Sequence, residues 1–479
     1  MRTKTPLLEK TPFAIDSNPM QGALTANAGL AAVSRVLRSL ELGPACERHL
    51  AVKQRNRGFE PAQVVESLVL LHAAGGDCMR DIEILRQDTA MEKMLGYVAP
   101  SPRAVGDFLA RFHDEDKLEA ARVHAARQER LAFIVEENAA LQGLQEVQCA
   151  LLRQLDTIAP LPRVATVDQD ATIIKSRKRE ASSTYKGIKG YQPMVAAWAE
   201  AELVVADEFR DGNVPAQMAP LNCAKQAFAA LPHEMDALYF RGDSACHEAG
   251  LINWLRDEER EGGPCGFIGF ALSARMSVEL AQTLRAVPEA QWKTFGHDRD
   301  GTVRQWSELD FVPGEKTEKK DTQPLRYAGL RLSKAQGELF GDGNEHHYHA
   351  ILSNRWDMDG GELIDWNRAK AGTIEHVHDE IKNGLGAGQL PSAKLGANAA
   401  WFRIACIAYN IMSALRQAWP DPSVRHAQPK RLRLVIFSVA GRFARDRRKI
   451  SLRLAAPRQW IRNLIGLFEA FPLITRSTG

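Results

Sequence analysis

The sequence predicts an α/β fold in which a mixed-sheet core follows a helical N-terminal region and carries a β-rich insertion. Residues 22–112 show helical periodicity with start and stop signals. Residues 164–259 alternate between strand and helix patterns in the order strand, strand, strand, helix, strand, helix, as a mixed α/β core does. Residues 263–354 contain short alternating runs separated by charged or glycine-rich turns, which indicate the β-rich insertion.

Short helices with clear signals fill the N-terminal region. Pro61 begins a helix that Gly75 and Gly76 end, Asp77 can cap a second, and Ser101 with Pro102 begins a third. Three such helices with tight turns suit a helix-turn-helix-like module, and they also suit any small helical bundle.

The composition is that of an ordinary globular protein. Of 479 residues, 45% are hydrophobic and 25% are charged, so the chain can bury the core of several packed units. The net charge of +3 does not by itself indicate a nucleic-acid partner. Seven scattered cysteines without a C-x-x-C pair argue for reduced thiols in a cytoplasmic protein, and against a disulfide framework or a zinc module.

Two aspartates end the first predicted strand of the core on one face. Side chains alternate along residues 164–172, so Asp168 and Asp170 point to the same side. Aspartates at a simple strand-to-turn transition also hydrogen-bond the backbone in this way. The pattern alone leaves both interpretations open.

Two further acids stand out by context. Asp243 directly follows an apolar strand and precedes a helix, where it is either a site residue or the helix N-cap. Glu375 lies on a helix whose polar face also carries His378, Asp379 and Lys382. Glu375 and Asp379 are like charges four residues apart, which is unfavourable unless a metal ion or Lys382 lies between them. The alternative is a solvated charged face.

Two strand-end aspartates and a helix glutamate match the needs of two-metal phosphodiester chemistry. Mg²⁺ prefers carboxylate oxygens together with water and substrate phosphate oxygens. Two ions held about 3.5–4 Å apart activate the attacking oxygen and stabilise the leaving oxygen. Carboxylate pairs also serve glycosidases, so the acids alone do not decide between the two chemistries.

Several short motifs follow one another at characteristic spacings. They are Asp168–Thr172, Thr184–Pro193, Arg241–Ser244 and Ala371–Glu375 with Lys382, together with Arg57–Phe59, Ala73–Cys78 and Gly396–Trp401. In this order the chain resembles the DDE transposases of bacterial insertion sequences, whose catalytic core is RNase H-like, and within them the insertion sequence 1380 family. The resemblance covers about residues 25–455.

The resemblance implies a fold, an activity and a catalytic triad. The fold is an RNase H-like mixed-sheet core, and the activity is that of a Mg²⁺-dependent transposase. The implied triad is Asp170, Asp243 and Glu375, holding two Mg²⁺ ions with Mn²⁺ as a substitute, while Asp168 remains a rival for the first position or an auxiliary metal ligand. The implied location is the bacterial cytoplasm, in association with the nucleoid.

The resemblance also implies contacts to DNA. Lys382, seven residues after the glutamate, matches the phosphate-contacting lysine of the family. The superfamily arginine four residues before the glutamate is absent here, and Arg368 or Lys370 is expected to replace it. A tryptophan of the insertion stacks on a displaced base in some relatives. Trp292 and Trp306 are the candidates, although tryptophan is more often a core residue.

The near-neutral total charge hides one strongly basic segment. Residues 424–462 contain twelve Lys or Arg and one acid, a charge of +11 that leaves −8 for the rest of the chain. Such a segment suits salt-dependent DNA binding, the alternative being a solvated basic helix pair. The further residues expected to contact DNA are Lys178, in a smaller basic cluster after the first core strand, and Lys430, Arg431, Arg433, Arg442, Arg445, Arg447, Arg448 and Lys449.

These patterns and the resemblance divide the chain into six segments. They are a flexible leader (1–21), a helical DNA-binding region (22–158), the first part of the RNase H-like core (159–262), the β-rich insertion (263–354), the second part of the core (355–420) and a basic C-terminal region (421–479). The expected partner is double-stranded DNA, both terminal inverted repeats and target DNA, bound by a homodimer and without a membrane. The expected function is cut-and-paste transposition, and the alternative is a transposase-derived DNA-binding protein without catalysis.

Overall fold

The computed structural model describes residues 22–53, 58–312, 325–334, 346–446 and 449–473. The predicted leader, residues 1–21, lies outside these residues, and so do two of the predicted DNA contacts, Arg447 and Arg448.

The N-terminal region is helical, as predicted. Its elements are β1 (Leu24–Thr25), α1 (Ala31–Ser39), α2 (Leu42–His49), α3 (Pro61–Ala74), α4 (Ile82–Arg86), α5 (Thr89–Leu95), α6 (Pro102–Leu109), α7 (Glu115–Arg127) and α8 (Ala139–Ile158). The predicted end of α3 is confirmed by Gly75, whose φ of +95° is easily adopted by glycine alone. The hydroxyl of Ser101 accepts a hydrogen bond from the Ala104 amide and caps α6, which confirms its predicted start.

The helix α3 belongs to the core of the molecule. Every residue from Val64 to Ala73 is buried, and the helix packs against the long helix α14 (Leu395–Ala418). A helix that is buried on all sides cannot enter a DNA groove. For this central helix the structure therefore favours the interpretation as part of a bundle.

The central sheet has the strand order of an RNase H-like core. Its first part contains β2 (Val164–Ala171), a small sheet of β3 (Ile174–Lys175), β4 (Ser182–Ser183) and β5 (Lys189–Tyr191), then β6 (Met194–Trp198), β7 (Leu203–Glu208), α9 (Pro220–Ala230), β8 (Ala237–Gly242), α10 (Ala249–Arg256) and β9 (Ile268–Ser273). Strands β2, β6 and β7 form an antiparallel meander, and β8 and β9 run parallel to β2. The resulting order β7-β6-β2-β8-β9 confirms the predicted fold class.

The insertion extends this sheet. It contains α11 (Val278–Ala286), β10 (Lys293–His297), β11 (Val303–Leu309), β12 (Arg326–Ser333) and β13 (His346–Ser353). The strands form an antiparallel ladder, and β13 pairs with β9, so that a single nine-stranded sheet results. The stretch Ile268–Ser273, which the sequence interpretation places in the insertion, is a core strand parallel to β8.

The second part of the core returns to this sheet as helices. The sequence places Glu375 and Lys382 on one helix, but the structure divides this stretch into α13 (Ile374–Asp379) and a π-helical turn (Glu380–Gly384). They are preceded by α12 (Gly360–Arg368) and a 3₁₀ turn (Ala369–Gly372). The 3₁₀ turn and α13 are separated by Thr373, whose φ of −107° and ψ of −71° depart from α-helical values. Single π-helical turns are frequent at functional sites, and this one carries Lys382.

A buried ion-pair network fastens α14 to the sheet and to the N-terminal region. Arg403 donates from Nε to Asp207 Oδ1 at 2.9 Å and from Nη2 to Glu137 Oε1 at 2.7 Å. The Arg403 and Asp207 side chains are almost completely buried. Losing one partner would leave an unpaired buried charge, so this network fixes the position of α14 strongly.

The C-terminal region folds back onto the N-terminal helices. It contains α15 (Pro429–Leu432), β14 (Gly441–Asp446), β15 (Lys449–Leu454) and α16 (Arg458–Ala470). Strand β14 pairs with β1, and the Arg35 guanidinium donates to the carbonyls of Phe468 and Phe471. The basic segment, for which a solvated helix pair was the alternative interpretation, contains the short helix α15, the β14–β15 hairpin and the start of α16. In the described parts of the chain, no helix combines the length and apolarity that crossing a membrane demands.

Candidate active site

Two acidic side chains meet at the ends of adjacent parallel strands. Asp170 is the second-last residue of β2, and Asp243 directly follows β8. The register pairs Gln169 with Gly242, so the two aspartates come one step further along neighbouring strands. Because the carboxyl ends of parallel strands share one sheet edge, this pairing brings the two carboxylates together.

Asp243 does not cap the following helix. Helix α10 begins only at Ala249, and the side chain of Glu248 accepts its first amide hydrogen bonds. Asp243 instead accepts one hydrogen bond from the Ala245 amide at 3.0 Å through Oδ1. The N-cap interpretation of Asp243 is therefore wrong, and Asp243 instead begins the turn that follows β8.

Glu375 reaches the same place from the first turn of α13. It is exposed, whereas Asp170 and Asp243 are half-buried. Burial raises the pKa of Asp170 to about 6. Lys370 opposes this shift, while the nearby charges of Asp243 and Glu375 reinforce it. We call Asp170, Asp243 and Glu375 the triad carboxylates, since their charges interact in this way.

The donor set of the triad suits a divalent cation. Three carboxylates supply the hard oxygen ligands that Mg²⁺ prefers, and a positive ion bound there would relieve the repulsion that Asp243 and Glu375 exert on Asp170. The ligand oxygens of the three triad carboxylates do not all lie within 4.8 Å of one another. Among the described residues, the three-residue group whose ligand atoms lie within 4.8 Å of one another is Asp77, Cys78 and Asp81. There the Asp81 carboxylate accepts two backbone amides of its own turn, which accounts for the arrangement.

Two lysines flank the triad carboxylates. Lys370 precedes α13 and acts electrostatically on Asp170. Lys382 donates from Nζ to Thr172 Oγ1 at 2.8 Å, and burial lowers its pKa. Arg368 is the other predicted phosphate contact. It forms an ion pair with Asp298, in which Nη2 lies 3.6 Å from Oδ1.

A buried histidine lies behind these lysines. Burial lowers the pKa of His378 to about 3, and the positive charges of Lys382 and Lys370 act in the same direction. His378 is therefore neutral at physiological pH, and the positive charge beside the triad carboxylates comes from the two lysines.

Asp168 has a different environment from Asp170. Its carboxylate is completely buried and accepts hydrogen bonds from Arg241 Nε at 2.6 Å, from Arg241 Nη2 at 2.8 Å and from the Thr373 hydroxyl. We call Asp168, Arg241 and Thr373 the Asp168 cluster. The sequence interpretation missed Arg241 and Thr373. A signal was present, since an arginine inside an otherwise apolar strand needs a buried anionic partner.

The two tryptophans considered for base stacking are buried. Trp292 and Trp306 are each 8% exposed, and they pack under Arg331 and Lys293. Neither ring face is open to a nucleobase in this structure. A tryptophan that is exposed, at 55%, is Trp356 in the loop after β13.

A basic groove lies along the small sheet that follows β2 in the chain. It has a volume of about 790 Å³ and runs between the small sheet β3-β5-β4 and residues 389–390. The side chains lining it include Lys175, Arg177, Lys178 and Lys189. Its first lining residue, Lys175, comes three positions after Thr172, the acceptor of the Lys382 ammonium.

The basic residues of the C-terminal region differ in availability. Lys430, Arg431 and Arg442 are exposed, and Arg445 and Lys449 lie on the two strands of the β14–β15 hairpin. The Arg433 guanidinium is occupied. It donates to the carbonyls of His72, Ala73 and Gly384, and so it holds the end of α3 against the π-helical turn.

Comparisons with known proteins give a family match over nearly the whole chain. The model described as "Transposase DDE domain group 1" matches residues 14–470. Among solved structures, a piggyBac transposase synaptic complex with hairpin DNA is similar at a TM-score of 0.38 and 11% sequence identity, over 94% of this chain and 83% of that chain. No curated protein sequence matches the chain.

Proposed function

The chain belongs to the group 1 transposase DDE domain family, and from this premise we propose that it cleaves transposon ends and joins them to target DNA. The reaction is metal-dependent phosphodiester hydrolysis at the terminal inverted repeats, followed by attack of the freed 3′-OH on the target. The spacing of the motifs supports a narrower proposal, membership in the insertion sequence 1380 family.

The observation that carries this proposal is the meeting of three carboxylates from three separate parts of the chain. Asp170 comes from β2, Asp243 from the end of β8, and Glu375 from α13, which lies 132 positions after Asp243. Only the fold places the charges of Asp243 and Glu375 near enough to Asp170 to raise its pKa. If these acids only formed a charged helix face or Asx turns, they would not need to lie near one another in the fold.

We propose that the triad carboxylates hold two divalent cations, Mg²⁺ in the cell and Mn²⁺ as a substitute. When bound, such ions supply Lewis acidity that makes a water or a 3′-OH nucleophilic and stabilises the leaving oxygen. The protein contributes the placement of the three carboxylates at one sheet edge. Asp168 is not proposed as a ligand, because its oxygens already accept hydrogen bonds from Arg241 and Thr373.

We propose Lys382 and Lys370 as the residues that orient the scissile phosphate. Both place an ammonium next to Asp170, where a phosphate anion would be repelled by carboxylates alone. Between the two candidates preceding α13, Lys370 is favoured, because Arg368 is engaged by Asp298.

Replacing Lys370 by alanine is expected to slow single-turnover cleavage by about tenfold to 100-fold, since a fixed positive charge beside the phosphate is lost. Arg368→Ala serves as the matched control and is expected to stay within about threefold of the wild type. The measurement is the rate of nicking of a labelled end under saturating protein. A larger loss in Arg368→Ala than in Lys370→Ala would reverse the assignment.

The basic groove is proposed as a path for the DNA backbone. Its lysines and arginine start directly after the strand that carries Asp170, so a duplex in the groove leads to the triad. Lys430, Arg431, Arg442, Arg445 and Lys449 extend the proposed contacts to the C-terminal region. Arg433 is left out because backbone carbonyls occupy its guanidinium.

Substituting Lys175 and Lys178 together by alanine is expected to weaken DNA binding and to flatten its salt dependence. Each lost phosphate contact reduces the slope of log K against log salt by about 1. The measurement is fluorescence anisotropy of a labelled duplex from low to high KCl. The double variant Lys225→Ala/Arg285→Ala, on α9 and α11 outside the groove, is the control, and an equal change of slope there would remove the groove from the proposal.

Two ends must be processed and joined together, so we propose that the active species on DNA is at least a homodimer. The rival function is a transposase-derived DNA-binding protein without catalysis. It would keep the basic groove but would have no need for three convergent carboxylates.

The deciding experiment incubates the full chain with a linear duplex that carries both flanks of its own element. We expect nicks with free 3′-OH ends and joined products in Mg²⁺, and neither in EDTA. Binding of the same duplex without any cutting in Mg²⁺ or Mn²⁺ would establish the rival function. Cutting that persists in EDTA would refute the metal-dependent mechanism.

A further inference from the structure

A buried polar cluster lies under the triad carboxylates and is not part of them. Asp168 is completely buried between β8 and the start of α13. Its two oxygens accept a bidentate pair from the Arg241 guanidinium at 2.6 and 2.8 Å, and Oδ2 also accepts from the Thr373 hydroxyl. The hydroxyl oxygen of Thr373 also lies 2.9 Å from the Lys370 carbonyl oxygen.

Each member of the Asp168 cluster stands two residues before one triad carboxylate. Asp168 precedes Asp170 on β2, and Arg241 precedes Asp243 at the end of β8. Thr373 precedes Glu375 at the start of α13. Two residues of backbone, most of it in paired strands, are too short to absorb a shift, so a displacement of the cluster must move the carboxylates.

The cluster is itself held by surrounding aromatic and amide contacts. The Arg241 guanidinium donates to the Trp366 carbonyl at 2.7 Å and lies 5.4 Å from the centre of its ring. The neighbouring Asn367 amide donates to the Ala271 carbonyl of β9 at 2.9 Å. The end of α12, β8 and β9 are therefore tied to one another through the same few side chains.

A buried ion pair of this kind is weak evidence for stability, since well-packed apolar side chains often serve as well. What an ion pair adds is a defined geometry, because bidentate arginine–carboxylate contacts tolerate little rotation. A cluster that joins the three chain segments bearing the triad is best explained by such a geometric role.

We infer that Asp168 is a positioning residue: through Arg241 and Thr373 it sets the spacing of the triad carboxylates. This inference rests on the proposed function, in which those carboxylates hold divalent cations together. It assigns Asp168 no contact with the metal ions or with DNA.

The first test uses Thr373, because the hydroxyl can be removed without leaving a buried charge. In the full chain, Thr373→Val is expected to weaken Mn²⁺ binding, measured by electron paramagnetic resonance without DNA, by about tenfold or more. Cleavage should slow by about tenfold to 100-fold, and a higher Mg²⁺ concentration should be needed for half-maximal rate. Thr373→Ser keeps the hydroxyl and should restore all three readouts. Thr157→Val, an exposed threonine of α8, is the matched control and should change none.

The second test asks whether Thr373 acts through Asp168. Asp168→Asn keeps the shape but turns one acceptor oxygen into an NH₂ donor, so it cannot keep the bidentate contact with Arg241. The double variant Asp168→Asn/Thr373→Val should lose no more Mn²⁺ affinity than the weaker-binding single variant. Additive losses, or wild-type Mn²⁺ affinity in Thr373→Val, would overturn the inference. A wild type that binds Mn²⁺ but never cuts DNA would overturn the proposed function instead, while the Mn²⁺ affinities would still decide the role of the cluster.

Discussion

Replacing any one of the triad carboxylates by alanine is expected to abolish DNA cleavage to within measurement, a loss on the order of 10³-fold or more, because the three act as one catalytic unit. DNA binding should persist or strengthen slightly, since a negative charge leaves the path of the phosphate backbone. The measurements are single-turnover nicking in Mg²⁺ and anisotropy of the same labelled duplex in EDTA. A loss of nicking with unchanged duplex binding would show that the substitution removes catalysis and not DNA binding.

Asp379→Asn is the matched control for these variants. Asp379 is an exposed carboxylate one helical turn after Glu375, and the asparagine keeps a polar group of the same shape beside Asn383. It is expected to cut DNA at close to the wild-type rate. If Asp379→Asn were as inactive as Glu375→Ala, the general negative charge of this helix would matter and the assignment of Glu375 would fail. Full activity in Asp170→Ala would reopen the choice of Asp168.

The architecture could be predicted from local patterns because each element carries its own signal. Pro61 and Gly75 mark the ends of α3, and Ser101 marks the start of α6 through capping chemistry that operates within a few residues. The β-rich character of the insertion also follows from local alternation. Its joining of the core sheet does not, because the pairing of β13 with β9 depends on contacts between strands far apart in sequence.

The choice between Asp168 and Asp170 shows where sequence reasoning ends. Both lie on the same face of β2, so alternation cannot separate them. The difference arises from neighbours in space. Arg241 stands beside Asp168 in the parallel register, whereas Asp170 lies beyond the last such pair at the open sheet edge. Only the strand register reveals that the Asp168 carboxylate is the one already hydrogen-bonded inside the core.

The number of basic residues in a segment likewise does not show which of them are available to DNA. Arg433 contributes to the charge of +11 of the basic segment. Its guanidinium, however, donates hydrogen bonds to backbone carbonyls at the end of α3 and of the π-helical turn. Lys178 belongs to a much smaller cluster, yet it lines the groove that we propose as the path of the DNA backbone. A sequence reports how many positive charges a segment has, and the fold determines which of them a phosphate can reach.

Gly242 lies too close to the side chain of Cys246 to carry a side chain of its own. Gly242 is the last residue of β8, directly before Asp243, and is buried. A Cβ atom at this position would lie 2.5 Å from the Cβ and 2.8 Å from the Sγ of Cys246. Contacts this short force the turn after β8 to move, and that turn carries Asp243.

Gly242→Ala is therefore expected to destabilise the protein by about 1–3 kcal/mol, as overpacking of a core does. The loss of cleavage should exceed the loss of stability, at about 100-fold or more at a temperature where the variant is fully folded, because a displaced Asp243 no longer matches the other two carboxylates. The measurements are thermal unfolding by circular dichroism and single-turnover nicking on the same preparation.

Two variants test the cause of this loss. Gly372→Ala adds the same methyl group close to Glu375, at a position where no atom lies within 4 Å of the new Cβ, and should behave like the wild type. The double variant Gly242→Ala/Cys246→Gly removes both clashing atoms of Cys246 and should recover most of the lost cleavage rate, even if stability stays low. Because the rates are compared at a temperature where both variants are fully folded, recovery of activity would identify the position of Asp243, and not the folded fraction, as what the methyl group disturbs. No recovery in a folded double variant would show that Gly242 matters for another reason.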